Sequence, residues 1–347
     1  MEQLCFPLIA SSKRMQCEAF SFLGCESTKK QSSREARELS GQNIAEIDKK
    51  LSEDITMIKG LAITPPLLGR ISIGRVVEKN GKRLPEKDDQ FTITSQIQNK
   101  EGWVKHPLDE QLRAHSNQQK LRSIPVRMIF NDPELNLRAE YSLFDRQTGR
   151  PVCMGDGQTC QRQTQQGLEQ HACPSPDLCS LGQGGHCKPY GRLYVNLDES
   201  DEIGSFVFRT TGFNSIRTLA ARLSYYHAAS NGLLSCLPLQ LTLRGKSTSQ
   251  SYRQPVYYVD LTLKEGVDLQ SAIQIAKEID QCSKAAGFNQ QALDQIAREG
   301  LLNAKFEQES IEMLEEFYPV DQQDQPPSET VNVGLSQQLK QSVRQVS

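Results

Sequence analysis

Between residues 153 and 192 the chain reads CMGDGQTCQRQTQQGLEQHACPSPDLCSLGQGGHCKPYGR. This stretch holds five of the ten cysteines and two of the five histidines. Thiolates are soft donors that select zinc, copper(I) or iron–sulfur centres, and imidazole serves zinc equally well. Zinc is the default because it needs no redox partner. The expected ligands are Cys160, Cys173, Cys179 and Cys187. Cys153 competes for the first place, and His171 or His186 can replace one thiolate. Four thiolates leave no open coordination position, so such a site is structural and not catalytic. The spacing is wider than a compact CxxC…CxxC site, and two other readings stay open: unrelated thiols in a reducing compartment, or a disulfide pair.

Other chemistry finds little support in the residues. There is no GxSxG elbow for a serine nucleophile. Cys236 and Cys282 have no specific histidine partner for thiol catalysis. Cys173 is followed by Pro174, but the His-x-Glu that a nucleic-acid deaminase requires is missing. Gly69 and Gly74 form neither a phosphate loop nor a GxGxxG turn. Asp88 and Asp89 could offer oxygen ligands to a divalent cation, although a solvated bend before a strand accounts for them as well. Arg244, Lys246 and Arg253 are candidates for contact with phosphate or with an acidic partner surface.

Gly and Pro surround these cysteines and apolar side chains are few, so the segment is expected to fold back in tight turns that a metal must hold, inserted between strands of a sheet. The chain has 347 residues, 37% of them hydrophobic, and a formal net charge of −2, so bulk electrostatic grip on nucleic acid is disfavoured. No apolar run approaches the ~20 residues that span a bilayer, and the N-terminal stretch lacks the pattern of a secretory leader. The expectation is a cytoplasmic protein with no membrane partner. Residues 1–60 read as a variable extension with a short amphipathic helix from about Ile44 to Ile58; Cys5, Cys17 and Cys25 are too irregularly spaced to suggest a second metal site. The main domain runs from 61 to 263. Ile71, Ile73 and Val76 mark one strand, Asn80-Gly81 a tight turn, and Phe91 and Ile93 the next strand. Residues 108–120 read as a polar linker or an exposed helical turn. Ile124 to Phe130 and Leu137 to Leu143 alternate as a strand pair or hairpin.

Further on, Phe206 and Phe208 mark a strand. Ile216, Leu219, Leu223 and Tyr226 then share a helical face, with Asn214 or Ser215 as N-cap. Leu237–Leu243 and Val256–Leu263 are strands, the second expected to be central. Residues 264–320 read as a helical extension and 321–347 as a tail too polar to fold. The fold class is therefore α+β, with a mixed or antiparallel sheet, an inserted cysteine-rich zinc knuckle at 153–192, and a C-terminal helical extension.

TPPLLGRISIGR, FTITS, the cysteine segment ending GHCKPYGRLYV, and FRTTGFNSIRTL together resemble a phage and mobile-element family that includes the recombination directionality factors of large serine integrases. The resemblance spans roughly Leu61 to Leu263, and Cys160, Cys173, Cys179 and Cys187 match that family's metal-binding pattern. It implies a non-enzymatic protein that binds an integrase on DNA and switches it from integration to excision. The first 60 residues and the helical region after Asp268 lie outside it. Two rivals remain: a zinc-stabilised nucleic-acid-binding protein of replication or repair, and a metal-dependent nuclease or hydrolase.

Overall fold

A computed structural model describes residues 66–79, 82–100, 102–116, 120–197, 204–247, 255–301 and 308–318. The amphipathic helix expected over 44–58, the three early cysteines, Arg253 and the tail from 321 lie outside the described residues.

Twelve strands form one sheet. β1 (Leu67–Lys79) and β2 (Lys82–Asn99) pair antiparallel as far as Lys79 opposite Lys82, the register expected of a turn at Asn80-Gly81. β3 (Gly102–Lys105) lies on the outer edge of β2. β10 (Ser205–Thr210) joins β1 in parallel, and every other pairing is antiparallel. The sheet is therefore mixed, the first of the two forms expected, mixed or antiparallel.

β9 (Cys187–Leu197) is the strand from which the sheet divides. One edge pairs with β10. The other is shared end to end by β4 (Ser123–Met128), opposite Val195–Leu197, and β5 (Leu137–Phe144), opposite Cys187–Leu193. The expected β4–β5 hairpin is thus corrected: the two strands do not pair with each other but run in line along β9. Ile129–Asn136 bulges out between them and contains the one-turn helix α2 (Pro133–Asn136), capped by Asp132. The buried amide of Asn136 holds this excursion. Its Oδ1 accepts from the N–H groups of Ile129 and Phe130, both at 3.0 Å, and its Nδ2 donates to Phe130 O and Asp132 O. Those four bonds satisfy backbone groups that the broken ladder leaves free.

From β4 the sheet continues through β11 (Leu239–Ser247) to β12 (Pro255–Leu263). β12 pairs with β11 alone among the described residues, so the strand expected to be central lies at an edge. From β5 it continues through β6 (Pro151–Gly155), β7 (Thr159–Thr164) and β8 (Gly167–Ala172).

Alternation along β9 sends Leu193, Val195 and Leu197 to one face and Tyr190, Arg192 and Tyr194 to the other. The first face carries the main core. There α3 (Phe213–Ala229) buries Leu219, Leu223 and Tyr226, a stripe worth about 1.5–3 kcal/mol per large apolar side chain. Neither expected N-cap serves. Gly212 takes that position without a side-chain bond, while Ser215 Oγ accepts from Val259 N at 3.1 Å and ties α3 to β12. Gly191 allows the close approach of α3, because a Cβ there would lie 2.9 Å from Ile216 Cγ1. Of the linker or exposed helical turn expected at 108–120, the helical alternative forms, as the longer and partly buried α1 (Pro107–Ser116). It buries Leu108, Leu112 and Asp109, whose carboxylate accepts from Ile93 N and pairs with Arg113.

The C-terminal helices pack against both faces of the sheet. α4 (Leu269–Ala285), N-capped by Asp268, adds Ala272 and Ala276 to the main core. α5 (Gln290–Leu301) covers Tyr194 and Val207 on the opposite face. α6 (Ile311–Phe317) covers Tyr190 and Phe144 through Leu314 and Tyr318.

Candidate functional site

The cysteine segment is not the inserted knuckle of turns that its Gly, Pro and sparse apolar residues suggested. Most of it is β-meander: the end of β6, then β7 and β8, then the start of β9, with only 173–186 left to turns. Register aligns its chemistry. One cross-strand row runs Cys187–Leu143–Cys153–Arg162–Glu169 over β9, β5, β6, β7 and β8. The next row on the same face runs Pro189–Tyr141–Gly155–Cys160–His171. Side chains directly opposite, or two residues apart, share a face. Cys153, Cys160, Cys187 and His171 therefore stand together, although up to 34 positions separate them in the chain. Cys173 follows His171 by two and joins the same side.

Gly155 provides the space. A Cβ at that position would lie 2.8 Å from Cys160 Cβ and 2.9 Å from Cys173 Sγ, so the thiol of Cys173 folds over a spot that only glycine leaves open. The turn into β7 is held by Asp156. Its carboxylate accepts from Gln158 N and Thr159 N, both at 2.7 Å, and from Thr159 Oγ1 at 3.2 Å. Those donors, Thr159 first, hold its pKa below the ordinary 3.8. Cys173 N donates to Gln158 O at 2.8 Å, anchoring the exit of β8 to the same turn.

The thiols sense one another. Burial pushes Cys153 up to about 12, with the neighbouring Cys160 adding to the rise and Arg162 opposing it. Burial likewise pushes Cys187 up to about 12, and Cys153, Cys179, Cys173 and Cys160 all add to it. His186 Nδ1 is buried without a hydrogen bond, whereas His171 Nε2 faces Glu169 Oε2 at 3.3 Å. In type, though not in placement, this donor set suits a soft or borderline cation. As placed, no three His, Cys, Asp or Glu side chains among the described residues stand in metal-holding geometry, and the cysteines there are free thiols.

The other expected contact residues lie elsewhere. Arg244 and Lys246 fall within β11, which runs on to Ser247, rather than in a loop. Arg244 Nε donates to the buried Asp260 at 2.6 Å, and Arg222 Nε donates to the other oxygen of that carboxylate at 3.1 Å. Lys246 is exposed. Asp89, which a metal-dependent hydrolase would use, lies within β2 and is paired with Lys120 and Arg122. Trp103 stacks on the guanidinium of Arg70, 4.6 Å from the ring centroid.

A non-local mixed sheet packed by helices, with a cysteine-bearing arm, defines a mixed α+β domain. Residues 68–264 match the family model described as Gp3-like, recombination directionality factor-like, which covers more than half of the chain. The chain belongs to this family, whose members are associated with the control of site-specific recombination. No curated protein and no solved structure matches it.

Proposed function

We propose that this protein controls site-specific recombination in a phage or integrative element by binding a serine integrase, making no covalent bond itself. Family membership over residues 68–264 is the observation that carries this reading. A rigid sheet with an arm built of polar strands is the kind of surface such binding needs. The cytoplasm is the proposed place of action, and contact with DNA is direct or through the integrase. Arg244 and Lys246 on the outer part of β11 are the proposed direct contacts, with Arg253 beyond the described residues.

The same reading gives the arm a structural zinc ion held by Cys160, Cys173, Cys179 and Cys187, with Cys153, His171 or His186 as substitutes. Zinc would cross-link turns that apolar packing does not hold. The shared face of Cys153, Cys160 and Cys187, the Gly155 gap beneath Cys173 and the unbonded imidazole nitrogen of His186 support it.

The test is affinity capture of the tagged protein from its native cell with DNase present. Near-stoichiometric recovery of a large serine recombinase, followed by a changed excision-to-integration ratio in a purified assay, is the expected result. Recovery of replication or repair proteins alone would overturn it in favour of a nucleic-acid-binding module. Elemental analysis should find about one zinc per chain, and Cys173→Ser or Cys179→Ser should lower both zinc content and melting temperature. Unchanged zinc and melting in both variants would remove the metal assignment.

A further inference from the structure

The face of the sheet opposite the main core carries a row of like charges. Arg138 on β5, Arg192 on β9 and Arg209 on β10 stand directly opposite one another across three adjacent strands. Arg138 and Arg192 are 4% and 2% exposed, and Arg70 on β1 is buried on the same face. Like charges in direct cross-strand register are destabilising, and a buried ionic layer is seldom more stable than the apolar residues that could replace it. Glu140 on the same face of β5 lies 3.9 Å from Arg192 Nη2, one carboxylate against three guanidiniums, so stability of the sheet alone does not explain the row. Recognition of an acidic ligand does.

The present occupant is a strap of the chain itself, Gln308–Tyr318, which includes α6 and lies beyond the family-matched residues. Its sequence, QESIEMLEEFY, has four glutamates and no basic residue. Glu309 is buried between two arginines, with Oε1 3.5 Å from Arg192 Nη1 and Oε2 3.3 Å from Arg209 Nη2. Seven residues on, Glu316 meets Arg70 Nη2 at 2.6 Å. Leu314, between the two acids, and Phe317 and Tyr318, just past the second, enter an aromatic cluster with Phe144 and Tyr190. The strap is latched at its ends by Glu309 N to Gly149 O at 3.0 Å and by Tyr318 Oη to Ser142 O at 3.2 Å.

We propose that this arginine and aromatic groove is a docking site for an acidic amphipathic helix of a partner protein, and that residues 308–318 occupy it in cis as an autoinhibitory strap. The apolar pocket between the charges favours a helix with i, i+4 anchors over a nucleic-acid backbone, which would leave Phe144 and Tyr190 uncovered. Dissociation of the strap exposes both halves of the site together, so occupancy by the strap and by a partner is mutually exclusive. The inference stands apart from the integrase reading: loss of integrase binding would leave the strap test untouched.

The probe is a fluorescent peptide of residues 308–318, measured against three forms of the full-length chain. The wild type, with its groove filled, should bind it weakly. Glu309→Gln/Glu316→Gln loosens the charged half of the strap, and Leu314→Ala/Phe317→Ala loosens the apolar half. Each should bind the peptide at least about ten-fold more tightly than wild type does, and a peptide carrying Gln in place of both acids should bind about ten-fold more weakly than the native one. The proposal is overturned if both folded variants ignore the peptide, or if they take up duplex DNA with steep salt dependence and not the peptide. It is also overturned if both variants lose the native fold, since the strap would then be a fixed layer of the domain.

Discussion

Two arms leave β9 on the same edge and are stabilised in different ways. In the β4–β11–β12 arm, Leu239, Leu241, Leu243, Val259 and Leu261 are all buried in the main core beneath helices. In the β5–β6–β7–β8 arm, Cys160 is the one buried residue of β7 and β8. Backbone ladders are alike in the two arms, so hydrogen bonding does not distinguish them. What differs is apolar area removed from water, the dominant favourable contribution to folding. The polar arm depends instead on turn chemistry, on close packing at Gly155 and on its sulfur atoms. Sheets of this kind open locally where apolar contacts are fewest, so amide exchange should be slow in β11 and β12 and faster in β7 and β8.

Three substitutions would break or sharpen this contrast. Leu241→Ala should have the largest effect, lowering global stability by about 2–5 kcal/mol through a cavity in the main core; a calorimetric melt would read it as one shifted transition for the whole domain. Gly155→Ala should cost about 1–3 kcal/mol by forcing a methyl against Cys160 and Cys173. Exchange should quicken in β6 to β8 and stay unchanged in β11 and β12, and equal quickening in both arms would show that they are not separate units. Asp156→Ala should have the smallest effect, about 1 kcal/mol or less, from lost bonds to Gln158 and Thr159.

The same carboxylate gives the arm a pH dependence. Folding lowers the pKa of Asp156 below 3.8, so its contribution is present above that pH and is lost as pH falls through the lowered value. Wild-type exchange in β6 and β7 should therefore accelerate in acid below about pH 4, a step that Asp156→Ala should lack. An identical acid step in the variant would assign the effect to another group.

Much of the architecture was legible in the chain because period-2 alternation is a local property. Phe91 and Ile93, Leu137 and Leu143, and Phe206 and Phe208 each marked a strand that forms, and the apolar stripe from Ile216 to Tyr226 marked α3. Asn80-Gly81 predicted the register that closes at Lys79 and Lys82. The cysteine segment misled because β7 and β8 are polar and short, and its pairing depends on an edge supplied by β5. The arginine row escaped notice altogether. Arg138, Arg192 and Arg209 are far apart in sequence, and each alone reads as an ordinary solvated charge.

By itself, then, the sequence determined which segments pair or coil, which donor atoms are present, and the family to which residues 68–264 belong. Only the tertiary structure decided partners and faces. It placed β4 and β5 in line along one edge of β9, set four cysteines on one side of a polar arm, and aligned three arginines across β5, β9 and β10, two of them paired with an acidic strap. The reason is physical: alternation and capping act over a few residues, whereas strand register fixes which distant side chains stand opposite, and a slip of one residue would turn every one of them to the other face.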